Sequence, residues 1–312
     1  MNALLTIHEV VDENEWNAFF EQASRKHMTQ TWAFGEAKRA TNWFPKRLKI
    51  NSDGEVIAIF QVLCKKIAGF TVASRVNLGP ILLNGHTEKV LNVYAAVKRH
   101  WRYGIRGVLL IAPEIDYSND GLEKLKALGF RLRTKFRWTS SRINLTNTEE
   151  RLRSALNSKW RNQLKKSEGN GLQFSAECTP SVLEWMIHRN RENAANKGFE
   201  GPSAEFLQAL HQASARDFHI FRAFLNGACV AAIVVFTFCG VAHYYVGWFG
   251  SEGRRLNAGN FLLWNAVLEL KRIGIREIDL GGHGMIGSTG FTGFKLGMNG
   301  EKYQVLGEFF CI

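Results

Sequence analysis

Asn265-Ala-Val-Leu-Glu-Leu-Lys-Arg-Ile-Gly274-Ile-Arg-Glu-Ile-Asp-Leu280 reads as a helix, a stop and a short apolar strand. The Lys-Arg pair suits the C-terminal end of a helix dipole, and the glycine suits the left-handed residue that ends a helix. The same order occurs earlier, at Tyr94-Ala-Ala-Val-Lys-Arg-His-Trp-Arg-Tyr-Gly104-Ile-Arg-Gly-Val-Leu-Leu110. Two copies of one helix–glycine–strand unit in 312 residues point to two related halves, 1–145 and 146–312, with the join between 145 and 170.

Around these units, strand-like and helix-like runs alternate along the whole chain, so the fold class is α/β in the mixed α+β sense. With 46% hydrophobic and 22% charged residues the chain can fill two ordinary cores, which excludes a disordered, collagenous or disulfide-scaffold protein. Residues 1–11 carry no basic segment followed by an apolar one, so no signal peptide is read and the expected location is the cytoplasm. The five cysteines are odd in number and include no Cys-x-x-Cys pair, and no His, Asp and Glu cluster has metal-ligand spacing; neither a disulfide framework nor a metal site is expected. Ala228 to Phe249 has the length of a membrane span and no formal charge. Its β-branched and aromatic content, and the Cys239-Gly240 break, make it two buried strands joined by a tight turn.

Lysine and arginine number 40 against 28 acids, a formal charge of +12, which suits a polyanionic partner. The excess concentrates between Lys124 and Lys166, where thirteen basic residues meet two acids, Glu149 and Glu150. Arg131, Arg133, Lys135 and Arg137 alternate at strand spacing and would leave one face together. Lys159, Arg161, Lys165 and Lys166 follow along a helix. Such a run is either a solvated face or a phosphate-binding surface, and the scarcity of local carboxylates favours the second.

Four segments, in order, carry a resemblance. They are Gln30-Thr-Trp-Ala-Phe-Gly-Glu-Ala-Lys38, Ser158-Lys-Trp-Arg-Asn-Gln-Leu-Lys-Lys-Ser-Glu168, Asn257-Ala-Gly-Asn-Phe-Leu-Leu-Trp-Asn-Ala-Val267 with Gly274 to Gly282, and Gly290-Phe-Thr-Gly-Phe-Lys295-Leu-Gly. Together they resemble the Fem family, aminoacyl-tRNA-dependent peptidyltransferases of cell-wall peptide bridges built from two domains of the GCN5-related acetyltransferase (GNAT) fold. The resemblance implies two tandem GNAT-like domains, each a mixed sheet flanked by helices. No heptad pattern lasts three repeats, so the coiled-coil arm of some members is not expected. The GNAT cofactor loop is also altered: Arg254-Arg-Leu-Asn-Ala-Gly-Asn260 has asparagine where the first glycine falls, which weakens the expectation of acetyl-CoA.

Transfer from an aminoacyl-tRNA to an amine needs the two reactants held together, a proton removed and an oxyanion stabilised. By resemblance Lys295 is the candidate oxyanion stabiliser or tRNA-end contact, and Lys38 a contact for the phosphates of a nucleotide- or lipid-linked peptide acceptor. Trp32 would wall that site, and Arg189 and Arg191 would bind anions. Asp279 and Asp116 end the two equivalent strands, where sites form, and His283 lies among glycines as a proton-handling candidate. Arg133, Lys135, Lys159, Arg161, Lys165 and Lys166 are the expected tRNA contacts. Aminoacyl-tRNA is then a co-substrate with no resident cofactor; a peripheral membrane contact is compatible with a lipid-linked acceptor. The alternatives are an N-acyltransferase using acyl-CoA or acyl carrier protein in polysaccharide or lipid assembly, and a non-catalytic RNA-binding protein on the same scaffold.

Overall fold

The computed structural model describes residues 5–104, 107–134, 137–198, 201–283 and 289–311. The chain divides into two compact units, Met1–Trp138 with Gln304–Ile312, and Thr139–Tyr303. Each is a mixed sheet flanked by helices.

The first sheet runs, in spatial order, Thr6–Glu9, Phe44–Ser52, Glu55–Ile67, Phe70–Asn77, Val108–Ala112, Glu308–Cys311 and Arg131–Thr134. Ile81–Leu82 adds a short pairing on Glu55–Ile67. The second runs Gln173–Ser175, Phe218–Leu225, Ala228–Phe238, Val241–Phe249, Glu277–Asp279, Thr139–Asn144 and Glu301–Gln304. Position by position the two orders correspond. In each, a long hairpin is followed by a helix, Val90–Gly104 or Ala258–Arg272, and then by a strand parallel to the hairpin's second arm. The sequence echo is this unit. Gly274 ends its helix at φ 89, as expected, whereas Gly104 is itself the last helical residue and the positive φ comes at Gly107.

The expected division at 145 needs correction at both ends. Thr139–Asn144 pairs with Glu277–Asp279 and so belongs to the second sheet. Glu308–Cys311 inserts between Val108–Ala112 and Arg131–Thr134, returning the chain's end to the first sheet. Backbone pairing decides membership here, and it is set by partners far away in sequence.

The charge-free run is the hairpin Ala228–Phe238 and Val241–Phe249, its turn made by Cys239 at φ 44 and Gly240 at φ 77. Among the described residues no helix is long and apolar enough to cross a membrane. Val230 to Phe238 is buried throughout because both faces of this strand are covered, and its one polar side chain, Thr237, is hydrogen-bonded through its hydroxyl to His219. Helices start where a side chain satisfies a free backbone N–H: Thr31 caps Trp32–Lys38, Asn157 caps Ser158–Glu168, and Thr179 caps Pro180–Lys197. Cys64 and Cys311 are core residues, while Cys178, Cys229 and Cys239 are half-buried.

Candidate active site

In the second unit Asp279, His283 and Lys295 come together at the end of the Glu277–Asp279 strand. All three are at most 4% exposed. Gly281 makes this possible. It adopts φ 69, and a Cβ there would lie 2.6 Å from the Tyr244 carbonyl and 3.3 Å from Lys295 Nζ. The Gly281-Gly282 pair therefore lets the chain turn tightly over the ammonium group.

Lys295 sits on the helix Thr289–Leu296. Its Nζ donates to the Gly282 carbonyl at 3.3 Å and lies 4.8 Å from the centre of the Tyr244 ring. Burial lowers its pKa from 10.5 to about 7, against the opposing pull of the Asp279 carboxylate. Near neutral pH the group is thus divided between ammonium and free amine. The neighbouring Phe294 packs on Trp160, with ring centres 6.1 Å apart, and Trp160 Nε1 donates to the Phe294 carbonyl at 3.0 Å. Asn157 N donates to the Gly297 carbonyl at 3.0 Å. The helix Ser158–Glu168 and the Gly293-Phe-Lys295 segment are therefore one structural piece, which explains why the two motifs occur together.

Asp279 is an anchor. Its Oδ1 accepts from Ser140 Oγ at 2.5 Å and Gly281 N at 2.8 Å, and its Oδ2 accepts from Tyr303 at 2.6 Å. Arg142 stands 3.6 Å from the same carboxylate and stacks on Tyr303. With its oxygens engaged, Asp279 sets the local charge and holds the strand end, which is a positioning task. His283 bonds through Nε2 to Ser141 Oγ at 2.7 Å, and its buried Nδ1 has no hydrogen-bond partner among the described residues. Burial, then the nearby Lys295, lowers its pKa to about 4, so it is neutral at physiological pH and a weak base. A neutral, weakly basic imidazole is poorly matched to the proton-handling part expected of His283. His243 is also buried and held neutral, mainly by burial, 3.8 Å from Asp279. A cavity of about 230 Å³ in this unit, lined by Asn144, Arg151, Trp264 and Glu301 among others, contains none of the three expected residues.

The first unit carries Lys38, Trp32 and Asp116 of the expected substrate contacts. Lys38 is half-buried, 5.2 Å from the Phe34 ring centre, and burial followed by the charge of Arg75 pushes its pKa down. Arg75 and Arg133 both close on the buried carboxylate of Glu308. Two guanidinium groups thus share one buried carboxylate, and the charge of Arg75 also reaches Lys38. Trp32 is half-buried and neither a core residue nor a bare wall, since the Arg47 guanidinium lies 3.5 Å from its ring centre. Asp116, expected as a substrate contact, is exposed and pairs with Arg25 at 2.5 to 2.6 Å. Gln30, from the first motif, is fully buried: it accepts from Gln61 N at 2.6 Å and donates to the Asn77 carbonyl at 2.7 Å, stitching the hairpin.

The basic run divides between the two units. Arg131, Arg133 and Arg137 belong to the first unit, and the helix with Lys159, Arg161, Lys165 and Lys166 to the second. Arg131 and Arg133 share an exposed face as expected, but Arg133 is paired with Glu308, Arg137 stacks on Tyr117, and Lys135 lies outside the described residues. Lys159, Lys165 and Lys166 are exposed and, among the described residues, meet no carboxylate; Arg161 donates to the Ser154 carbonyl. Arg189 pairs with Glu192 and faces Trp185 and Trp248, while Arg191 is exposed on the same helix. In the altered loop Asn257 adopts φ 55, the conformation a glycine would supply, so the turn into Ala258–Arg272 is kept. Residue identity alone understated that loop.

A model of the FemAB family matches residues 11–127, and a model of the acetyltransferase (GNAT) domain matches residues 152–301. The lipid II:glycine glycyltransferase of Staphylococcus aureus is 26% identical over 124 residues, 39% of this chain and 30% of that protein. The chain thus spans under a third of the length of the curated relatives it matches. The crystal structure of FemX superposes with a TM-score of 0.80 at 14% identity, covering 98% of this chain and 96% of FemX. A tandem GNAT protein from the clavulanic acid biosynthesis pathway superposes at 0.61 with 10% identity, covering 99% and 98%. At these identities the superpositions establish the tandem GNAT fold. The FemAB and GNAT models thus follow one another along the sequence, and the tandem fold shared with FemX runs through both matched segments.

Proposed function

We propose that the protein is an aminoacyltransferase that moves an amino acid from aminoacyl-tRNA to an amine of a peptide acceptor, a peptidoglycan precursor in the first instance. The observation that carries this reading is Lys295: a lysine held at the end of a strand, almost fully buried, with a pKa of about 7. Attack of an amine on the aminoacyl ester carbonyl forms a tetrahedral oxyanion. Collapse then forms the amide and releases the ribose hydroxyl of the tRNA. An ammonium fixed in a dry site stabilises that oxyanion far better than a solvated one. Asp279 keeps part of Lys295 protonated, and Tyr303 and Ser140 keep Asp279 in place.

Lys38, with the positive excess around Arg75, Arg133 and Glu308, supports a phosphate-bearing acceptor, either nucleotide- or lipid-linked. The exposed lysines of Ser158–Glu168 support tRNA as the donor's carrier. The kept turn at Asn257 favours a second reading, in which acyl-CoA is the donor and its pyrophosphate meets the start of Ala258–Arg272. One assay separates them: purified protein is given a pool of charged tRNAs or acyl-CoA with candidate amine acceptors, and the product mass is read. Transfer that requires tRNA, and that Lys295→Met abolishes without changing the circular dichroism spectrum, is the expected result. Unimpaired turnover by Lys295→Met removes its role; thioester-driven turnover without tRNA transfers the protein to the second reading.

A further inference from the structure

We propose that the hairpin end Lys65–Phe70 is an interfacial contact that docks the first unit onto an anionic lipid surface. This goes beyond the transfer reading and does not depend on it. The registers isolate this end. The strand Phe44–Ser52 pairs with Glu55–Ile67 only as far as Phe44 opposite Cys64, and Val108–Ala112 pairs with Phe70–Asn77 only from Val108 opposite Ala73. Among the described residues the last two pairs, Lys66 with Thr71 and Ile67 with Phe70, stand beyond the ladders of both flanking strands, with Gly107 closing on the backbone of Thr71 and Val72 just behind them.

What this end displays is unusual for a turn in water. Ile67 is 63% and Phe70 74% exposed, with Val72 a further exposed apolar residue on the same strand. The connecting residues are Ala68 at φ 47 and Gly69 at φ 81. Two-residue turns with both φ values positive favour Asn-Gly or Asp-Gly, where a polar side chain supports the left-handed conformation. Alanine offers no such support and no hydration. The tip Ile67-Ala-Gly-Phe70 therefore has no polar side chain at all.

Directly behind the tip come two cations. Lys65 Nζ lies 5.6 Å from the Trp43 ring centre and Lys66 Nζ 5.5 Å from that of Phe44. Among the described residues neither lysine meets a carboxylate, and the sequence holds no acid between Glu55 and Glu88. Lys46 on the adjacent strand is paired with Glu9. An apolar tip, aromatic rings and lysines, in that order from the end inward, match the order acyl chain, glycerol level and anionic headgroup. Insertion would be shallow, since the turn's backbone polar groups must stay within reach of headgroups and water. A protein partner fits less well: a convex end with three exposed apolar side chains falls far short of the roughly 800 Å² per partner of a stable interface.

The test uses the full chain without tRNA or acceptor, so it is independent of transfer. Binding is measured by cosedimentation with phosphatidylcholine vesicles containing a third phosphatidylglycerol, against vesicles of phosphatidylcholine alone. The wild type should bind the anionic vesicles. At about 1 kcal/mol, or fivefold, per lysine near such a surface, Lys65→Gln with Lys66→Gln should lower partitioning about 25-fold. Ile67→Ser with Phe70→Ser should lower it at least tenfold while leaving the thermal unfolding curve unchanged, because those side chains face solvent. A chain of net charge +12 adsorbs to anions in any case, so the serine variant decides. Equal binding by that variant, or no binding by the wild type, overturns the proposal; hairpin-dependent self-association without vesicle binding overturns it in favour of a protein contact.

Discussion

Lys295→Met replaces a buried ammonium by an apolar chain of similar length, and the pKa of the lysine fixes what should follow. In the unfolded chain the group titrates near 10.5, in the folded one near 7. The folded state therefore binds fewer protons between those values, and stability must rise with pH across that window. Below pH 7 the cost of keeping the charge buried is present in full; above 10.5 it has gone. Integration gives a cost of about 4 kcal/mol at pH 7 and about 1 kcal/mol at pH 10. Methionine carries no such cost at any pH. Urea unfolding of both proteins at pH 7, 8, 9 and 10 should thus give a stability difference that moves by about 3 kcal/mol in favour of the wild type as pH rises. The lost bond to Gly282 and the lost contact with Tyr244 change the offset between the two curves and leave the slope alone. Titrating groups remote from Lys295 are common to both proteins and cancel, and His283 and His243, which feel its charge, are held towards the neutral form by burial. Parallel curves across this range would refute the account of Lys295 as a desolvated cation, and with it the electrostatic argument for the site.

Two further expectations concern its surroundings. Reversing charge at Lys159, Lys165 and Lys166 should reduce the dependence of log tRNA affinity on log salt by about 2 to 3, at roughly 0.7 to 0.9 per phosphate; an unchanged slope in a filter-binding titration would put the tRNA elsewhere. Gly297→Ala places a Cβ 2.5 Å from Trp160 Cδ1, so it should cost about 1 to 3 kcal/mol in denaturant unfolding, and a variant as stable as the wild type would contradict the packing of the two motif segments.

The sequence disclosed the repeated helix–glycine–strand unit because its signals are local: a helix stripe, a basic last turn, a glycine, an apolar run. It also singled out Lys295 and Lys38 as candidates, since the motifs around them are contiguous. Membership of Thr139–Asn144 and Glu308–Cys311 was hidden, because a four- to six-residue strand carries no mark of a partner over a hundred residues away. The same distance hid the pairing of Arg133 with Glu308, so a run that looked short of carboxylates was partly neutralised by one from the far end of the chain. The burial of His283 was hidden for another reason. A histidine in a glycine-rich loop reads as exposed, and only the close approach of Ser141 and Lys295 makes it buried and neutral. At Asn257 the letter suggested damage where the backbone has none.

The strand Glu308–Cys311 completes a sheet that began at Thr6, and this inverts the order of assembly relative to the order of synthesis. As the nascent chain emerges, Thr139–Tyr303 has nearly its whole sheet available while the first sheet still has a vacant lane between Val108–Ala112 and Arg131–Thr134. Two open strand edges facing one gap are a ready template for a foreign strand. The unit begun first is therefore completed after the second, and its exposure to misassembly lasts until Glu308–Cys311 has left the ribosome.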